Sequence, residues 1–172
     1  MSDARVIKGA ELDGEYRYRL WREWFPMLPT CAFVMLNPST ADAEQDDPTI
    51  RRCGAFARSW GFGRLEVANK YPLRATDPDA LRTHVNPFGP DGRNDDALRL
   101  VSKMASMVVV AWGCSGPRDA RHDRHTLDVL TENADLHVLR TTASGNPSHP
   151  LYLPGSLKPV PWIRKGGQRV AS

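Results

Sequence analysis

The sequence predicts an α/β fold of three layers, a central, mostly parallel sheet of four to five strands flanked by helices. Three observations predict it. Four short apolar runs, at residues 31–36, 64–71, 106–113 and 135–142, have the length and composition of strands buried on both faces. Between them lie segments whose apolar residues recur at three- and four-residue spacing, as they do along one face of a helix. Asn, Pro or Gly stands at or just beyond the end of each run, where an α/β connection turns. Strands alternating with helices pair in parallel through crossovers that cover both faces of the sheet.

Each element follows from its residues. YRYRLWREW, residues 16–24, alternates aromatic or apolar with charged side chains, the pattern of a half-exposed edge strand. CAFVML, 31–36, is continuously apolar between Pro29 and Pro38 and reads as a buried strand. A helix follows: Asp47 caps it, Pro48 takes its first position, Ile50, Cys53, Phe56, Ala57 and Trp60 form its buried stripe, and Gly61 closes it. RLEVANKY, 64–71, is a second parallel strand, broken by Pro72. A short capped helix at 76–85, a Pro/Gly-rich loop at 86–94 and a helix at 94–105 lead to the third strand, SMVVVAWG. Residues 118–133 form a helix, 135–142 the fourth strand and 143–155 a loop. Residues 1–160 make one domain, and 161–172 a basic, flexible tail.

The totals set bounds on function. A chain of 172 residues supports one sizeable core, and 41% hydrophobic with 25% charged residues is ordinary globular composition. No apolar run approaches the ~20 residues of a membrane span, and residues 1–20 lack the pattern of a secretory signal. The expectation is a cytoplasmic monomer with no membrane partner. Cys31, Cys53 and Cys114 form no Cys-x-x-Cys pair, which suits reduced thiols. His122 and His125 lack a third ligand in sight, so neither a metal nor a cofactor is expected. Arginines outnumber lysines 18 to 5 at a net charge of +3, a lean toward phosphate contacts that high-GC coding would equally produce. The absence of G-x-G-x-x-G and Walker patterns argues against a nucleoside triphosphatase or a Rossmann oxidoreductase.

In open parallel sheets ligands sit beyond the carboxyl ends of the strands. The first strand ends in Asn37-Pro38-Ser39-Thr40 and the second in Asn69. The third ends in Trp112-Gly113-Cys114-Ser115-Gly116, and the fourth runs into Gly145-Asn146-Pro147-Ser148-His149-Pro150. These amides, hydroxyls and one histidine can converge on a single crevice. A common strand-end turn also accounts for Asn37 and Asn69 taken singly.

Taken in order, these motifs resemble the uracil-DNA glycosylase superfamily. LNPST is similar to the first motif of its mismatch-specific branch, LEVANKYPLRA to the second-strand motif, VVVAWGCSG to the strand before the last loop, and GNPSHPLYLPG to the His-Pro loop. The match spans residues 31–155 and looks most like a little-characterised bacterial domain family of that superfamily. It departs from the uracil-specific branch in lacking Asp-Pro-Tyr-His and in reading His-Pro-Leu in the final loop.

The resemblance implies a monofunctional DNA glycosylase that flips out a modified or damaged base, a pyrimidine by preference, and leaves an abasic site. It also leaves room for hypermodified viral bases and a defence role. By similarity, Asn37 holds the attacking water, His149 hydrogen-bonds the departing base, and Asn69 reads its edge. Among Asp42, Glu44, Asp46 and Asp47, Asp42 lies nearest the first motif and is expected to assist the water, while Asp47 is read as a helix start. Pro38, Ser39 and Tyr71 are expected at the base; Leu151, Tyr152, Leu153, Ser115 and Arg118 on DNA, where a leucine fills the gap left by the flipped nucleotide. Lys70 is read as a phosphate contact rather than a Schiff-base nucleophile. The alternatives are a non-catalytic nucleic-acid-binding module of the same fold and a nucleoside or nucleotide hydrolase.

Overall fold

In the structure, a computed structural model that describes residues 6–171, seven strands form one mixed sheet. In chain order they are β1 (Ile7–Asp13), β2 (Tyr16–Glu23), β3 (Thr30–Met35), β4 (Arg64–Asn69), β5 (Met107–Val110), β6 (Leu136–Val138) and β7 (Val160–Ile163). The helices are α1 (Pro48–Ser59), α2 (Ala80–Thr83), α3 (Arg93–Met104) and α4 (Ala120–Thr131). The sheet order is β1-β2-β4-β3-β5-β6-β7, and the four apolar runs make its parallel centre, with Phe33 in register with Val67 and Val109.

Period-two alternation sends successive residues of β3 to opposite cores. Cys31, Phe33 and Met35 join Ile50, Cys53 and Phe56 of α1 on one face. Ala32 and Val34 join Leu98 and Val101 of α3 and Val129 and Leu130 of α4 on the other. The helices thus make the two outer layers, as expected. The chain passes from β3 to β4 through α1, then returns past β3 to β5 through α3 on the opposite face. That reversal puts a topological switch point between β3 and β5, where the loops at the carboxyl ends part and leave a crevice.

The expected four to five mostly parallel strands become seven mixed ones, because an antiparallel strand is added at β6 and an antiparallel hairpin at β4. In β1 the run IKGAELD carries little alternation. Its Gly9 admits the Trp21 ring, which a Cβ there would meet at 2.2 Å. The sequence signal for the hairpin is Asp13-Gly14, with Gly14 at positive φ in the first central position of the turn. Because β1 covers it, residues 16–23 are an interior strand and not the expected edge.

The expected boundary at residue 160 is also corrected, since residues 161–163 belong to β7. Ile163 is 3% exposed, Gly166 N donates to Thr131 O at 3.0 Å, and Val170 N to Trp162 O at 3.0 Å. The Pro/Gly-rich composition hid a strand whose partner, β6, lies more than twenty residues earlier. Ser172 lies outside the described residues. No helix among the described residues is long and apolar enough to cross a membrane.

Candidate functional site

Two arginines of β2 set the path of the loop after β3. Arg17 donates to Ala41 O at 2.7 Å. Arg22 is 3% exposed and reaches Asp46 Oδ1 at 2.7 Å, Asp42 O at 2.6 Å and Gln45 O at 3.3 Å. These guanidiniums are internal clamps, so part of the chain's arginine excess serves the fold and not phosphate. The clamped loop delivers Asp47 to the amino end of α1, where Oδ1 accepts from Ile50 N at 2.8 Å and Oδ2 from Ala41 N at 3.3 Å. Asp47 caps the helix as its sequence predicts, and it also lines a cavity.

That cavity, of about 580 Å³, opens at the switch point and brings together Asn37, Ser39, Asn69, Ser115, His149 and Leu151, all expected in the site. Tyr152 stands at its wall 86% exposed. Asn37 and His149 are each held in a defined state. Asn37 Nδ2 donates to Pro38 O at 2.9 Å and Ala75 O at 2.8 Å, which leaves Oδ1, without a partner among the described residues, as the acceptor of the amide. Leu151 N donates to His149 Nδ1 at 3.3 Å, so the neutral ring carries its proton on Nε2. Burial pushes the His149 imidazole below its usual 6.5, with the charge of Asp47 opposing. Asn69 is 1% exposed, and neither Oδ1 nor Nδ2 has a partner among the described residues. A buried amide with both ends open is costly unless a ligand completes it.

The loop carrying His149 is seated from two sides. Gly113 N donates to Pro147 O at 2.7 Å, and a Cβ on Gly113, whose φ is +72°, would meet His149 Cβ at 3.4 Å. From α1, Arg52 donates to Leu153 O.

Four expected site residues stand elsewhere, and a fifth, Leu153, turns into the core. Asp42 does not line the cavity: its Oδ1 accepts from Glu44 N at 2.9 Å and Gln45 N at 2.8 Å, a local turn that draws the carboxylate away. Pro38 contributes its carbonyl, which also accepts from Ala75 N at 2.9 Å, but no wall. Tyr71 is buried in the core shared with α3 and α4, its ring 4.6 Å from that of His122 and 5.4 Å from Phe88, and it lines a different cavity. Arg118 lines two neighbouring cavities instead. Leu153 touches the cavity but is packed into the core against α1, leaving Leu151 and Tyr152 as the side chains free to project. Lys70 is paired with Asp123 and only 3% exposed, so it is not a phosphate contact. Trp60 stacks on Phe33 and Phe56 as a core residue. His122 Nε2 lies 3.1 Å from Lys70 O and His125 Nε2 2.7 Å from Asp95 Oδ2.

Arg17 and Cys114 are cavity residues that the sequence did not single out, and Asp47, weighed for the water, was read instead as a helix start. Arg17 sat in an apparent surface strand; buried, its guanidinium is pulled down to about 10, Asp47 opposing, and stays cationic at neutral pH. Cys114, read only as a reduced thiol, is exposed at the wall, and its hydrogen bonds with Thr142 first, then with Ser144 and Asn146, hold the thiol below its usual range. Among the described residues no cluster of three or more His, Cys, Asp or Glu is arranged to hold a metal.

The cavity therefore offers a fixed acceptor, a carboxylate, a neutral imidazole donor and an unsatisfied amide on one wall system. No curated protein and no solved structure matches the chain. A family model does match, over residues 17–151, which hold the whole parallel core and the cavity up to Leu151. The chain thus belongs to the family described as Protein of unknown function (DUF1643).

Proposed function

We propose that this protein is a monofunctional DNA glycosylase of the uracil-DNA glycosylase type, acting as a monomer on a flipped-out modified or damaged pyrimidine. The observation that carries the reading is Asn69: a buried carboxamide with a free donor and a free acceptor matches the polar edge of a pyrimidine, which presents both. In this reading Asn37 Oδ1 accepts from the attacking water. Asp47 stands in the role expected of Asp42, taking the water's proton and countering the positive charge that develops on the sugar. The water oxygen bonds to C1′ as the C1′–N bond breaks. His149 Nε2–H donates to the oxygen of the departing base and holds its negative charge until it is protonated. Leu151 and Tyr152 project where an emptied duplex position would be filled.

Duplexes carrying a panel of modified pyrimidines, incubated with the protein and then cleaved with alkali, test this. Strand scission at the modified position is expected. His149→Ala is expected to lower the rate about 10²–10³-fold with an unchanged melting temperature. DNA binding without scission on any duplex would reduce the protein to a binding module.

A further inference from the structure

We infer, resting on the glycosylase reading, that Asn94 is a positioning residue: by gripping the main chain where β4 ends, it aims the side chain of Asn69 into the cavity. Nothing at the tip of Asn69 does so. The amide of Asn37 and the ring of His149 are each fixed by hydrogen bonds of their own, whereas Oδ1 and Nδ2 of Asn69 have no partner among the described residues. Its direction therefore comes from its backbone.

On one side that backbone is held by β3. Asn69 pairs in register with Met35, and the ladder runs on past the end of the strand, with Lys70 N donating to Met35 O and Tyr71 N to Leu36 O, both at 2.9 Å. On the other side α3 does the holding. Nδ2 of Asn94 donates to Asn69 O at 3.0 Å and to Lys70 O at 3.1 Å, which uses both hydrogens of the amide. Successive carbonyls of an extended strand point to opposite sides, so one nitrogen reaches two of them only where the chain bends, and the bend falls at Lys70 and Tyr71. From α4, His122 Nε2 lies 3.1 Å from the same Lys70 O. The sequence of α3 marks the residue too. Asn94, Leu98 and Val101 stand at i, i+4 and i+7 on its buried side, and the two apolar members join the core. The amide that opens this stripe is only 7% exposed and leaves its own Oδ1 without a partner among the described residues, a cost that an apolar side chain would avoid. The two carbonyls it holds account for its presence.

The test uses the full chain and two variants, Asn94→Leu and Asn94→Asp, each near asparagine in size and lacking its donor nitrogen, so that one remains should the other fail to fold. On the modified-pyrimidine duplex from which the unaltered chain releases a base fastest, kcat/KM is expected to fall about 10²-fold, the scale on which a displacement of about 1 Å at a remote support acts. Binding to a duplex with a tetrahydrofuran abasic analogue in place of that nucleotide, which offers no base for Asn69 to meet, is expected to be unchanged. In protein carrying isotopically labelled asparagine, the side-chain amide signals of Asn69, assigned by their absence from Asn69→Ala, are expected to move toward those of a freely rotating amide. Unmoved Asn69 signals, or equal losses on the two duplexes, overturn the positioning role, make Asn94 a structural tie and leave the glycosylase reading standing. Release of no base from any duplex by the unaltered chain overturns the glycosylase reading instead, and the Asn69 signals then decide the role of Asn94 by themselves.

Discussion

On the glycosylase proposal, Asn69 separates function from stability at a single residue. Its two open polar atoms each cost about 1–3 kcal/mol when unpaired in the interior, so Asn69→Ala is expected to leave the melting temperature unchanged or higher while base release is lost. A fall in both would mean that the amide is structural. The carboxylates divide in the same way. Asn caps a helix about as well as Asp, so Asp47→Asn keeps the bond from Ile50 N and holds stability within about 1 kcal/mol. It removes the charge that the proposal places beside the attacking water, and the rate is expected to drop about 10²–10⁴-fold. Asp42→Asn, which alters only an exposed turn, is expected to leave the rate unchanged. Equal rates for the two variants would return the role to neither. Proximity along the chain favoured Asp42; the backbone turn at Glu44 and Gln45 decided otherwise.

Among the elements, β7 carries the sharpest expectation. It covers the outer edge of β6, and Ile163 belongs to the core shared with Leu136 and Val138. Ending the chain after residue 159 is expected to lower the melting temperature markedly and promote association through the uncovered strand. Ile163→Ala alone is expected to cost about 2–5 kcal/mol, read by chemical denaturation; a mobile tail would show neither effect. The four parallel strands and four helices were legible because periodicity and caps are local, as Asp47 and Pro48 at α1 illustrate. β1 and β7 were not, because each becomes a strand through a partner: Gly9 by making room for Trp21, Val160–Ile163 by pairing with β6.

For the whole molecule, two half-buried histidines make stability depend on pH. Burial lowers both His149 and His122; at His122 the nearby Lys70 adds to the shift, while its contact with Lys70 O, Asp119 and Asp123 oppose it. A folded-state value below the unfolded 6.5 means that the fold binds fewer protons than the unfolded chain. Their contribution is therefore complete above about 6.5 and is lost as pH falls through that value toward the lowered ones. The melting temperature is expected to decline between neutrality and mildly acid pH, and the double variant His122→Gln, His149→Gln to flatten that decline; an unaltered slope would exclude both. By itself the sequence determined the α/β class, the order of its parallel strands along the chain and the loops that carry Asn37, Asn69 and His149, because hydrophobic period and turn chemistry act over a few residues. Only the tertiary structure decided that these loops share one cavity, that Asp47 and not Asp42 faces it, and that Asn94 of α3 reaches the carbonyl of Asn69. Those outcomes depend on contacts from distant segments, such as Arg17 and Arg22 clamping a loop some twenty residues on, and no local pattern encodes them.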